Sequence, residues 1–236
     1  MKKKVLVTGG TGTIATVIHD LLGDRYDFTF TDIRGAPGGR RIRRLDILRG
    51  YADLCGMLRG MDAVIHLAWN PGENWRSQSV VPDNKAMAEI VYRTAAAAGV
   101  KRIVMASSIH ADNFRNSRRG LPLMSCETVP WPVSPYGASK VYIESFGRAV
   151  SIMSGLGVIC PRFGGVTADD AFRDEPWYPN IWLSRKDCAR LIECCVETEE
   201  VPDGFHSFYG VSNNNERMHD WTNAIGWIPH DDSSLR

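Results

Sequence analysis

The sequence predicts an α/β fold: a doubly wound parallel sheet with a small C-terminal lobe. Three observations predict it. An apolar β-run, Val5-Leu6-Val7, breaks into the glycine-rich turn Thr8-Gly9-Gly10-Thr11-Gly12 and then into a helical stretch. Short segments rich in Val and Ile alternate with helical patterns, as expected of a sheet covered on both faces and wound by right-handed crossovers. Polar and acidic residues recur where the strands end, the side on which such sheets bind ligands.

Residues 5–7 read as the first strand and 14–22 as the helix after it. A second strand, Asp27-Phe28-Thr29-Phe30-Thr31-Asp32, ends on an acidic residue. A short third strand is expected at 43–45, running into Asp46-Ile47, then a helix at 54–58 and a fourth strand at 63–68. An alanine-rich helix over 84–98 is closed by Gly99, a C-terminal cap signal. Residues 102–108 read as a fifth strand, 139–153 as a helix, and 158–160 as the start of a sixth strand. Segment 167–180, rich in Asp, Pro and aromatic residues, reads as a substrate-side loop. The run from Asp187 to Val196 has a helical pattern that puts Cys188, Cys194 and Cys195 into core packing. We expect one domain, 1–236, with a nucleotide-binding core to about residue 165 and a C-terminal part from 166 to 236.

Composition narrows the function. With 236 residues, 44 % hydrophobic and 23 % charged, the chain can bury a sizeable core. A net charge of +1 gives no whole-protein field for nucleic acid or an anionic membrane. The basic run Arg40-Arg41-Ile42-Arg43-Arg44 lacks aromatic or motif context and reads as a solvated loop and strand start. Six cysteines without ligand spacing suggest no metal site and a reducing cytoplasm. Lys2-Lys3-Lys4 precedes only a short apolar run, too short for a signal peptide, and no stretch approaches membrane-spanning length.

Two motifs carry chemistry. In the turn, Gly9 and Gly12 let the backbone approach phosphates, Thr13 and Ile14 open the helix whose N-terminus faces them, and Ala15 takes the third small position. Asp32, followed by Ile33, is placed to accept hydrogen bonds from an adenosine ribose and to repel a 2′-phosphate. That favours NAD over NADP, although Arg34 pulls the other way. Further on, Tyr136-Gly137-Ala138-Ser139-Lys140 sets a phenol and an ammonium on one helix face. A phenol ionises near ~10, so a cationic neighbour is needed before it can serve as a base at neutral pH. Ser107-Ser108, at a strand exit, can hydrogen-bond a reacting hydroxyl, and His110 lies two residues beyond.

In these motifs the chain resembles the extended short-chain dehydrogenases/reductases, in their NAD-dependent epimerase/dehydratase branch. Further marks are Asp46-Ile47, His66-Leu67-Ala68, Asn84, Gly99-Val100-Lys101-Arg102-Ile103-Val104 and Pro161-Arg162-Phe163-Gly164. The resemblance implies that Asp46 and Ile47 hold the adenine, that Leu67, Ala68, Trp69 and Asn84 line the cofactor, and that Phe163 lies near the nicotinamide. It also implies that Ser108, rather than Ser107, joins Tyr136 and Lys140 as the catalytic set. The run Phe208-Tyr209-Gly210-Val211-Ser212-Asn213-Asn214, with Trp221 and Gly226-Trp227-Ile228-Pro229-His230-Asp231, resembles the ending of uronate and related aldose dehydrogenases. The likeness implies oxidation of a sugar at its anomeric hydroxyl to a lactone, with Asn70, Ser108, Ile109, His110, Tyr136, Gly165 and Trp177 at the substrate. It also implies a further terminal helix beyond Arg236. Three positions depart from that group: Ile109 replaces an asparagine, Gly165 a serine and Trp177 an arginine. A neutral aldose is therefore expected to be preferred to a uronate. A sugar-nucleotide 4-epimerase or dehydratase that recycles its NAD, and a non-catalytic NAD-binding regulator, are the alternatives. A homo-oligomer is a possible assembly.

Overall fold

Strand β1 (Lys4–Thr8) lies in the middle of the sheet because its residues are apolar towards both faces. Val5 and Val7 enter one hydrophobic cluster and Leu6 the other. The same alternation sends Ile65, Val104 and Ile159 to the first cluster and Val64, Ile103 and Val158 to the second, so these strands read as unbroken apolar runs. The computed structural model describes residues 1–35, 41–113 and 122–236. Arg40 of the basic run lies outside the described residues, while Arg43 and Arg44 are exposed.

The other elements are α1 (Thr13–Leu22), β2 (Asp27–Asp32), β3 (Ile42–Arg44), α2 (Tyr51–Leu58), β4 (Ala63–His66), α3 (Pro82–Ala97), β5 (Arg102–Met105), β6 (Ser107–Ser108), α4 (Pro135–Ser154), β7 (Gly157–Phe163), α5 (Tyr178–Ile181), α6 (Arg185–Glu197) and β8 (Phe205–Gly210). All strand pairs are parallel, in the order β3-β2-β1-β4-β5-β7-β6, with β8 also on β7. Helices α1 and α6 cover one face; α2, α3 and α4 cover the other. Cys188 and Cys195 are buried under α6, as its pattern predicts. No helix among the described residues is long and apolar enough to cross a membrane.

Several boundaries differ from the sequence reading, and each difference has a physical cause. The expected strand 102–108 is interrupted at Ala106. Both pieces keep one register on β7, which sets the break opposite Pro161, a residue with no N–H for the ladder. The expected strand 63–68 stops at His66, because Leu67 and Ala68 turn away beneath the glycine turn. A Cβ on Gly9, whose φ is +72°, would come within 2.6 Å of Ala68 N. Helix α4 starts at Pro135 rather than 139, since Ser134 caps it by accepting from Gly137 N at 3.1 Å and proline suits the first turn. Within the expected loop 167–180 the short helix α5 begins. Strand β8 was not foreseen; it and α6, both beyond residue 165, complete the sheet and one covering layer.

The irregular C-terminal run is tied to α6 by one buried carboxylate. Asp187 accepts from His230 N at 2.8 Å, Asp231 N at 3.0 Å and Ser212 Oγ at 2.7 Å. Arg190 also donates to it.

Candidate active site

The strand exits converge on two connected regions. In the first, Gly12 caps α1 without a side-chain bond, so the opening amides at Thr13 and Ile14 carry no side-chain partner. Asp32 closes β2 beside this turn. Thr11 N and Oγ1 donate to its Oδ2 at 3.1 and 2.7 Å, and Arg34 N donates to Oδ1 at 3.0 Å. Arg34 also donates from Nη2 to Thr11 Oγ1 at 2.7 Å. Burial works to raise the Asp32 pKa, but these bonds and the Arg34 charge outweigh it and hold the carboxyl below its ordinary value. Ile33 is exposed just beyond. Asp46 accepts from Leu48 N at 3.0 Å, and Ile47 packs into the cluster around Leu54 and Leu58.

In the second region, α4 approaches the turn after β6 closely enough that a Cβ on Gly137 would fall 2.1 Å from the His110 carbonyl oxygen. Only glycine allows that approach, and it brings Tyr136 against Ser108 and His110. Ser108 lies beside the Tyr136 hydroxyl and favours its ionisation. Lys140 is buried, and its Nζ donates to the Ala106 carbonyl at 2.9 Å, the carbonyl at the strand break. The ammonium lies 3.5 Å from the Trp69 ring centroid and 5.5 Å from that of Tyr136. Burial pushes Lys140 down to about 7, against the fields of Glu73, Glu144 and Cys160. Burial also raises the Tyr136 phenol; the neighbouring Ser108 hydroxyl opposes this and the Glu73 charge adds to it.

An aromatic wall surrounds the phenol. Trp69 meets Tyr136 edge-on at 5.9 Å and His110 lies at 5.8 Å. Trp75 stacks on His110 at 5.6 Å with 7° between planes, and Trp177 meets Trp75 edge-on at 5.7 Å. The loops bearing Trp75 and Trp177 are joined by an ion pair between Arg76 and Glu175. Phe163, at the end of β7, is buried nearby in sequence register with Ser108.

Three expected site residues sit differently. Asn84 is buried in α3 and uses its amide on the loop after β4, accepting from Asn70 N at 2.6 Å. Ile109 packs into a separate cluster with Tyr178, Trp182 and Tyr209. Gly165 faces the Tyr178 ring, where a Cβ would lie 2.6 Å from Cε2. Glu73, Trp75 and the Arg76–Glu175 pair were missed by sequence reasoning. None of them stands within a recognisable motif.

A profile of the NAD dependent epimerase/dehydratase family matches residues 5–175. The chain belongs to this family. It is 30 % identical to an L-arabinose 1-dehydrogenase (NAD(P)(+)) of Haloferax volcanii, over 98 % of each chain. It is 27 % identical to an NAD-dependent glucose-6-phosphate dehydrogenase of the same organism, over 99 % of this chain and 95 % of that one. Among solved structures, a mutated uronate dehydrogenase superposes with a TM-score of 0.81 at 26 % identity, covering 100 % of this chain and 84 % of that one.

The cofactor of this family member is NAD, and the first region fits it. The start of α1 carries no side-chain cap where a diphosphate would sit, Gly9 and Gly12 let the turn pack tightly beneath it, and the Asp32 carboxylate lies beside the turn as an acceptor for ribose hydroxyls. Asp32→Ser is expected to weaken NAD binding about 10-fold, the loss of a hydrogen bond to a charged acceptor. It is also expected to narrow the gap between NAD and NADP by releasing Arg34. Fluorescence titration with both cofactors measures this, and a wild-type preference for NADP would contradict the placement of Asp32 on the ribose.

Proposed function

We propose that the protein is a dehydrogenase of neutral sugars that oxidises the anomeric hydroxyl to a lactone. The observation that carries this reading is Tyr136 set beside Ser108 and the Lys140 ammonium, at the foot of an aromatic wall. When bound, NAD would supply the hydride acceptor and a positive charge. Tyr136, ionised with help from that charge and from Lys140, takes the proton of the sugar hydroxyl. The C–H bond breaks with its electron pair leaving as hydride, and the C–O bond becomes a carbonyl. Ser108 donates to the oxygen throughout and steadies it as its charge changes.

The substrate preference rests on the donors around the wall. A buried carboxylate needs a charged or multiply donating partner. Trp177 offers one N–H, Gly165 faces a tyrosine ring and Ile109 packs into the core. Arg185 is committed to Asp20 at 2.7 Å, and Arg76 to Glu175. Indole and imidazole faces suit the C–H face of a neutral ring instead. The six thiols, none of them in a disulfide, suit work in a reducing cytoplasm.

Initial-rate assays of NADH formation across neutral aldoses, their uronates and their phosphates test the proposal. A neutral aldose should show kcat/KM at least ~10-fold above glucuronate or galacturonate, the factor for about 1.4 kcal/mol. A clear preference for a uronate overturns the substrate assignment. No NADH with any free sugar would favour the reading in which the hydride is recycled.

A further inference from the structure

Glu73 is a fully buried carboxylate in a loop whose neighbours are mostly polar and solvent-facing. Its Oε2 accepts from Val81 N at 2.8 Å and from Asn84 Nδ2 at 3.2 Å, both neutral donors. Its Oε1 is buried and has no hydrogen-bond partner among the described residues. A carboxylate taken from water with neutral partners alone is costly to keep. The field of that carboxylate reaches the buried Lys140 ammonium. The loop also reaches the lysine through an indole: Trp69 Nε1 donates to the Glu73 carbonyl at 3.0 Å, and the Trp69 ring carries the Lys140 ammonium at 3.5 Å.

We propose that Glu73 is the buried counter-charge of Lys140, a positioning residue that acts through the lysine and the Trp69 ring without touching substrate. The proposal rests on the reading of Tyr136 and Lys140 as the reacting pair. Among the described residues, the other groups whose charge bears on the ammonium are neutral or matched. Glu144, on α4 itself, is held by Arg162 through two bonds of 2.9 and 2.8 Å. Cys160 on β7 is kept a thiol by burial. His66 on β4 is pushed down to about 3 by burial and by Lys140, so it is neutral. Tyr136 is a phenol whose ionisation Glu73 itself opposes. Glu73 is thus the unmatched negative charge among the described residues there. It favours the cationic lysine on which a phenolate depends, while resisting that phenolate until a further positive charge arrives.

The test is Glu73→Gln in the full chain, which keeps the shape and the acceptor for Val81 N but removes the charge. Lysine labelled with ¹³C at Cε reports the Lys140 titration directly, without cofactor or sugar, and Lys140→Arg identifies its signal. The Lys140 midpoint should fall by about one pH unit, and the basic limb of the kcat/KM profile should move the same way. An unchanged midpoint in a folded E73Q protein overturns the proposal. If E73Q does not fold, Glu73→Asp decides: it retains the charge, so the midpoint must stay near the wild-type value, and a fall there overturns the proposal equally. A fully active Tyr136→Phe protein would instead sink the catalytic reading and leave the titration result intact.

Discussion

Tyr136→Phe is expected to lower kcat by at least ~10²-fold while leaving NAD affinity within about twofold, because it removes proton transfer and little else. The phenylalanine ring can keep the edge-on contacts at 5.9 Å to Trp69 and 5.8 Å to His110. Lys140 keeps its bond to Ala106, and the glycine turn is untouched. Ser108 still accepts from His110 N at 3.2 Å. Steady-state rates alongside a cofactor titration measure both quantities. Substantial residual turnover removes Tyr136 as the base, and a parallel collapse of NAD affinity would mean that the ring serves the cofactor rather than the proton.

The second large effect is on stability. Glu144→Ala should cost about 3–5 kcal/mol, since it strands a buried guanidinium. Arg162 is 2 % exposed; it donates twice to Glu144 and once to Tyr209 Oη at 3.0 Å. Tyr209 in turn donates to Asp112 at 3.2 Å, and Ser107 donates to Glu144. One network therefore joins α4, β6, β7 and β8 directly behind Ser108. For a chain of this length the loss corresponds to a melting temperature lower by ~10 °C. Thermal unfolding measures it, and the double replacement of Glu144 and Arg162 by methionine should recover most of the loss. A single alanine variant that melts like the wild type would show the pair to be energetically idle.

What the sequence disclosed follows from what each feature needs. The phosphate turn, Asp32 and the Tyr136/Lys140 spacing depend on backbone shape and helical period, both written locally. The helix bearing Tyr136 and Lys140 begins one turn before its expected start, at the Ser134-Pro135 cap. Strand β8, Phe205-His206-Ser207-Phe208-Tyr209-Gly210, hides because His206 and Ser207 interrupt its apolar pattern. Trp75 and the Arg76–Glu175 pair were illegible for a different reason. They lie on irregular loops, and the pair joins positions 99 residues apart. Asn84 carried a recognisable motif position, yet its amide serves the loop after β4, which no local pattern distinguishes from a cofactor contact.

The Tyr178 ring beside Gly165 also constrains how this pocket can diverge. Tyr178 is 2 % exposed and wedged among Ile109, Trp182 and Tyr209, so it has nowhere to retreat from an added Cβ. A hydroxyl-bearing residue at 165 is therefore not a one-step change: introduced first it clashes, whereas a smaller residue at 178 introduced first leaves a cavity. The two positions are therefore coupled: a side chain at 165 is accommodated only when residue 178 changes with it.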